Sequence, residues 1–246
     1  MKTKKVILVI VEGMSDKTVL AGLLPKIFPD YVFRFKIVHG DLLTASSVNR
    51  GQILANVNKQ LSYAMSEYKY RASDIKEVIH LVDLDGVYID PMYIEEKATI
   101  AKIYYYNSRM YVKDYSQIIR RNNQKVSNLS RLIEASYLKR SGKKINYSLY
   151  YMSINLDHVI ADDPNLFADY QKAKASYDFV EHYRNHEDDF IKFLASLILN
   201  GARDYPSSWQ QASISDNALR RSSNMYYYIL RLANDSKLMP ASIKNE

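Results

Sequence analysis

The chain is 246 residues long, with 47% hydrophobic and 25% charged residues, a usage that suits a globular protein with enough chain to bury a large core. It contains no cysteine, which excludes disulfides, thiolate zinc sites and a cysteine nucleophile, and fits a reducing, cytoplasmic setting. The net charge of +7 is uneven: residues 113–147 carry nine Lys or Arg against two acids, and residues 148–191 carry nine acids against three bases. That segregation predicts a polyanion-binding surface beside a region that attracts cations, although two solvated faces that neutralise each other would give the same pattern.

The first apolar run, Lys5 to Val11, is nearly continuous and β-branched, the pattern of a strand buried on both faces of a parallel sheet. It is too short to span a membrane, Glu12 interrupts it, and no small-residue cleavage site follows, so no membrane association is expected. Gly13 ends the run, and Ser15 is placed to cap a helix in which Val19, Leu20, Leu23, Leu24 and Ile27 recur at helical spacing. Tyr31 to Val38 reads as a second strand, ended by His39, Gly40 and Asp41. A helix is predicted from about Ser47 to Tyr68, with Ile53, Val57, Leu61 and Met65 on one side. A third apolar strand, Glu77 to Val82, then runs into Asp83-Leu84-Asp85-Gly86.

Beyond Gly86 the signal weakens. Residues 87–112 are rich in Tyr and Ile without a clean period, and residues 113–140 read as helical and basic. Tyr147 to Ser153 is a fourth strand candidate, leading into Asp157 and His158. From about Leu166 the chain reads as helices, the last over Asn217 to Leu232. The alternation of strand and helix predicts an α/β fold, a parallel sheet flanked by helices. The core is placed at residues 1–160, with a basic helical insertion at about 105–146, and a mostly helical C-terminal region, residues 161–246, packs on it.

Functional groups of such sheets gather at the carboxyl ends of the strands, where Glu12, Asp83 and Asp85 all fall. Hard carboxylate oxygens suit Mg²⁺ or Mn²⁺, and Asp-x-Asp can turn both carboxylates to one ion where the backbone leaves strand geometry, which Gly86 eases. Asp16 and Asp41 lie close by in sequence, Asp16 serving equally well as a helix cap. The cations Lys17, Arg120, Arg121, Lys125, Lys139, Arg140, Lys143 and Lys144 are candidates to hold a nucleic-acid backbone. Tyrosines interleaved with bases from Tyr104 to Lys113 could stack bases, although packing in the core is the commoner fate of a Tyr. His182 and His186, four apart, lack the Glu of a zinc-protease helix and read as surface residues.

Val11-Glu12-Gly13-Met14-Ser15-Asp16-Lys17, followed some seventy positions on by Leu81-Val82-Asp83-Leu84-Asp85-Gly86, resembles the Toprim family, which includes topoisomerases, bacterial primases, OLD-type nucleases and a small RNA-maturing ribonuclease. The resemblance covers roughly residues 4–90. It implies a Toprim-like sheet, an Mg²⁺ site with Asp83 and Asp85 as ligands, and Glu12 as general acid/base or ligand to a second ion. Asp157 is similar in position to a further acidic ligand of some OLD-like nucleases. The chain lacks the length of a topoisomerase, the zinc-binding cysteines of primases and the phosphate-binding loop of an OLD-type ATPase. What the resemblance leaves is a small stand-alone nuclease of DNA or RNA, or a Toprim subunit with a separate ATPase or other partner, with phage defence as a role by analogy. Two other readings stay open. Val82-Asp83-Leu84-Asp85-Gly86 also resembles the first motif of haloacid-dehalogenase-type phosphatases, with Asp83 as nucleophile, and the domain could be a non-catalytic nucleic-acid-binding module.

Overall fold

The computed structural model describes residues 4–38, 42–45, 48–106 and 108–236. The expected alternation is present at the N-terminal half: β1 (Lys5–Val11), α1 (Met14–Ile27), β2 (Tyr31–Ile37), α2 (Ile53–Glu67) and β3 (Ile75–Asp83). Asp41 and Ser47 lie outside the described residues; residues 48–52 are not helical, so the helix expected from about Ser47 starts later than expected, at Ile53. Three short strands follow, β4 (Ile94–Glu96), β5 (Tyr104–Tyr106) and β6 (Arg109–Val112), then α3 (Tyr115–Ile133), β7 (Tyr137–Arg140) and β8 (Lys143–Met152). The C-terminal part is helical: α4 (Leu156–Ala161), α5 (Asp169–Tyr183), α6 (Glu187–Ser196), α7 (Tyr205–Ala212) and α8 (Met225–Ser236).

The main sheet has five strands in the order β2-β1-β3-β8-β7, all parallel except β7, which runs antiparallel to β8. Strand β1 is buried on both faces, and its alternate residues feed two different cores. Ile7, Val9 and Val11 pack with α1, α4, α6 and α8, whereas Leu8 and Ile10 pack with α2, α3 and Trp209 of α7. The result is three layers, helices on either side of a mostly parallel sheet. A smaller sheet, β4-β6-β5, closes a third core with Met110, Val112 and Ile118.

The span expected to be a basic helical insertion, about 105–146, is corrected in two ways. Only α3 is helical. It is flanked by β5, β6 and β7, three or four residues long and too short to show a period of two, and by the start of the longer β8. The last helix also begins later than expected, at Met225, for a reason visible in β8. Strand β7 pairs only with residues 143–146 of β8, leaving the rest of that edge in need of partners. Tyr205 supplies its hydroxyl, which donates to Leu149 O at 2.7 Å. Farther along, Tyr151 N–H donates to Asn224 Oδ1 at 2.9 Å and Ser153 N–H to Ser222 O at 2.9 Å. Residues 222–224 are therefore extended and buried beside β8, and α8 starts only after them. Among the described residues, no helix is long and apolar enough to cross a membrane.

Candidate acidic site at the strand ends

The order β2-β1-β3 means that the chain leaves β1 to one side and returns to the other. A crevice opens between β1 and β3 at such a reversal, at the carboxyl ends of the strands. Ile10 pairs with His80 across β1 and β3, so two more residues bring Glu12 beside Val82 and Asp83. Asp83, the last residue of β3, pairs on its other side with Met152 of β8, and the chain from there enters α4 with Asp157 in its first turn. The alternation of elements thus carries three predicted acids, Glu12, Asp83 and Asp157, to one end of the sheet. All three line a single pocket of about 720 Å³, together with Asp16, Asp169, Lys172 and Ser176.

Asp16 belongs to this group as firmly as any predicted member. The helix cap is Gly13 rather than Ser15, and Asp16 at the third helical position accepts Gly13 N–H through Oδ2 at 2.8 Å. Its Oδ1 is buried without a hydrogen-bond partner. Burial, more than any other influence, lifts the Asp16 carboxyl to about 6. The Gly13 N–H lowers it, the negative Asp157 raises it and Lys172 lowers it. Asp83 stands well above the usual carboxylate range, first through burial and then through repulsion from Asp16, Glu12 and Asp85. Asp157 is raised by burial, opposed by Lys172, whose Nζ lies 3.1 Å from its Oδ2, while Asp157 Oδ1 has no partner. Lys172 had no local signal: it reaches the site from α5, on an exposed-looking helix 156 positions from Asp16 in sequence.

Asp85 is directed elsewhere. It adopts φ +50°, followed by Gly86 at φ +66°, so the backbone turns out of strand geometry between the two aspartates. An alternation of two would have put both carboxylates on one side. Instead Asp85 Oδ2 lies 2.6 Å from Nζ of Lys125, whose side chain is completely buried. Lys125 is therefore corrected from a backbone-binding cation to the internal counter-ion of Asp85. Arg121 sits beside it, donating to Asp85 O at 3.1 Å.

The other predicted cations divide. Arg120 and Arg121 line a second pocket next to the Asp83–Asp85 turn. Lys17, partly buried on α1, does not line the acidic pocket. Lys139, Arg140, Lys143 and Lys144 form the β7–β8 hairpin at the opposite end of β8. Met152 is level with Asp83, and the eight residues back to Lys144 span about 26 Å at strand rise. Those four exposed cations cannot touch a phosphate held at the acidic pocket, although the sequence places them in the same basic stretch. Lys139 and Arg140, on the edge strand β7, guard that edge against pairing with other chains. His182 and His186 are exposed, as expected, and do not share a helix. His158 is buried, its ring Nδ1 3.0 Å from Ser153 Oγ, and burial pushes it down to about 4, so it stays neutral.

Hard oxygen donors, partly unsatisfied and repelling one another, are what a divalent cation would compensate, and in chemical type this donor set fits Mg²⁺ or Mn²⁺. Among the described residues, however, no group of three or more Asp, Glu or His side chains is arranged to hold a metal ion as it stands. The acids share a pocket without converging on one point. Compared with models of known protein families, with curated proteins and with solved structures, the chain matches none.

Proposed function

We propose that this protein is a divalent-cation-dependent phosphodiesterase acting on nucleic acid, built on a Toprim-like sheet. One observation carries the reading. Glu12, Asp16, Asp83 and Asp157 are gathered at the sheet's switch point, where burial and mutual repulsion raise Asp16 and Asp83. Burying carboxylates that repel one another is costly to a folded chain, and such clusters concentrate at functional sites. A bound Mg²⁺ or Mn²⁺ would polarise the phosphodiester and make water a stronger nucleophile.

The chain's own groups have separate tasks in this reading. Asp83, Asp16 and Asp157 supply oxygens to the pocket. Glu12 holds or moves a proton at its carboxylate. Lys172 neutralises charge at the rim, where a phosphate oxygen would sit. Asp85 acts at one remove: paired with Lys125, it fixes the turn that presents Asp83. The phosphatase reading needs Asp85 as a free general acid, and its tie to a buried ammonium gives that reading no support.

The test is cleavage of single- and double-stranded DNA and RNA by the purified protein in Mg²⁺, Mn²⁺ or chelator. Metal-dependent cleavage is expected, with Glu12→Ala and Asp83→Ala each reducing it at least about a hundredfold while remaining folded. Binding with no cleavage in either metal would identify a non-catalytic module instead.

A further inference from the structure

The short strands that the sequence did not resolve form a surface with its own chemistry. In β5, Tyr105 points into the third core, while Tyr104 and Tyr106 point outward, 40% and 66% exposed. Antiparallel pairing sets Tyr104 opposite Tyr111 on β6, where Lys97 Nζ lies 3.8 Å from the Tyr111 ring centre. Extending that register by two residues places Lys102 opposite Lys113, and both line the same basic pocket of about 650 Å³ with Arg120 and Arg121. Phe167 adds a further ring at this edge: it packs edge-on against Tyr104 and lies 4.7 Å from Lys102 Nζ.

The nearby acids have hydrogen-bond partners, and Asp114 is the acid that shares the pocket lining with Lys102, Lys113, Arg120 and Arg121. Glu95 is held by Arg109 at 2.7 Å, Glu96 accepts Tyr115 N–H, and Asp114 caps α3 through Gln117 N–H. The pocket therefore presents an excess of cations, continuous with a face of tyrosine rings. Tyr104 and Tyr106 are about 7 Å apart along the strand, leaving room for a base on each ring. One turn of chain links this pocket to the acidic site. Arg121, in its wall, holds the carbonyl of Asp85, and Asp83 two residues earlier lines the acidic pocket.

We propose that the outward face of the β4-β6-β5 sheet, with the basic pocket at its end, binds single-stranded nucleic acid and feeds it to the acidic site. Only the second half of that statement rests on the hydrolase reading. Tyrosine faces stack on unpaired bases, whose faces are covered in a duplex, while cations hold the phosphates of either form. Aromatic rings and cations on one surface therefore select a single strand, where cations alone would not.

Binding is measured by fluorescence anisotropy with labelled oligothymidylate and oligouridylate of about 15 nucleotides, and with a duplex of the same length, in EDTA so that no cleavage intervenes. A single strand is expected to bind more tightly than the duplex, the two oligonucleotides showing whether deoxyribose or ribose is preferred. Tyr104→Ala/Tyr106→Ala is expected to weaken single-strand binding at least about fivefold. Lys113→Ser/Arg120→Ser is expected to flatten the dependence of log K on log salt by about 1.4, two phosphate contacts' worth. Lys139→Ser/Lys143→Ser, at the far hairpin, should change neither. Tyr106→Ala alone, at the most exposed ring, covers the case in which the double tyrosine variant fails to fold. Equal affinity for duplex, unchanged binding in the tyrosine variants, or no binding of any oligonucleotide overturns the proposal. Single-strand binding that depends on the tyrosines, without cleavage in Mg²⁺ or Mn²⁺, upholds it and removes the hydrolase reading. Cleavage that ignores these substitutions does the reverse.

Discussion

Asp16→Asn removes one negative charge from the acidic pocket while keeping an oxygen to accept Gly13 N–H. The wild-type carboxyl is lifted from 3.8 to about 6 in the folded protein, chiefly by burial. At roughly 1.4 kcal/mol per pKa unit, ionised Asp16 costs the folded state about 3 kcal/mol. The sign follows from which state holds the proton. Below about pH 4 both states are protonated and no penalty exists. Between pH 4 and 6 the unfolded chain releases its proton while the folded chain retains it, so wild-type stability falls as pH rises. Above about pH 6 the full penalty is present. Asp16→Asn should therefore match the wild type near pH 4 and exceed it near pH 8 by about 3 kcal/mol, or some 6–10 °C in Tm for a chain of this size. After burial, Asp16 is also the largest cause of the rise at Asp83, so its removal relieves that residue in the same direction. Thermal unfolding followed by circular dichroism in EDTA, from pH 4 to 8, measures the effect. Adding Mn²⁺ at pH 8 should then raise Tm more for the wild type than for the variant, because binding to the folded form adds stability. A variant no more stable than the wild type at pH 8 in EDTA would show that the carboxylate is compensated by something in the pocket, and the case for a cation site would lose its basis.

The other predictions concern the turn beside that pocket. Lys125→Met leaves Asp85 without its buried partner and should cost roughly 3 kcal/mol in urea unfolding, with part recovered in Lys125→Met/Asp85→Asn; a fully stable single variant would mean that the pair is dispensable. Gly86→Ala should lose roughly 1–3 kcal/mol, since φ is +66° and a Cβ there would meet Leu219 Cδ2 and Met110 Cε at 2.8 Å. Unchanged stability in that variant would mean that the turn can relax, and that Asp83 is not held by it. Incubation with a phosphate-ester substrate and acid quench should yield no acyl-phosphate at Asp83 by mass spectrometry; a trapped phosphoaspartate would reinstate the phosphatase reading.

Much of the first half of the fold was legible from sequence because its signals are local. Buried parallel strands such as Lys5–Val11 are continuous apolar runs, α1 and α2 show their period, and the order of elements places Glu12 and Asp83 at strand ends. The same rules failed where elements are short or where partners come from afar. Strands β4 to β6 are too brief to carry a period, and the late start of α8 follows from an unpaired edge of β8 that no residue of α8 announces.

The sequence by itself determined which acids end the strands, because alternation and β-branching are properties of consecutive residues. Only the tertiary structure decided what each carboxylate faces. Asp85 is turned by two successive left-handed residues toward a lysine forty positions on, Asp16 and Lys172 enter the pocket from helices packed side by side, and the β7–β8 cations are carried to the far end of the sheet. Side-chain direction depends on φ at one residue and on packing between distant ones, and neither is written in the local pattern.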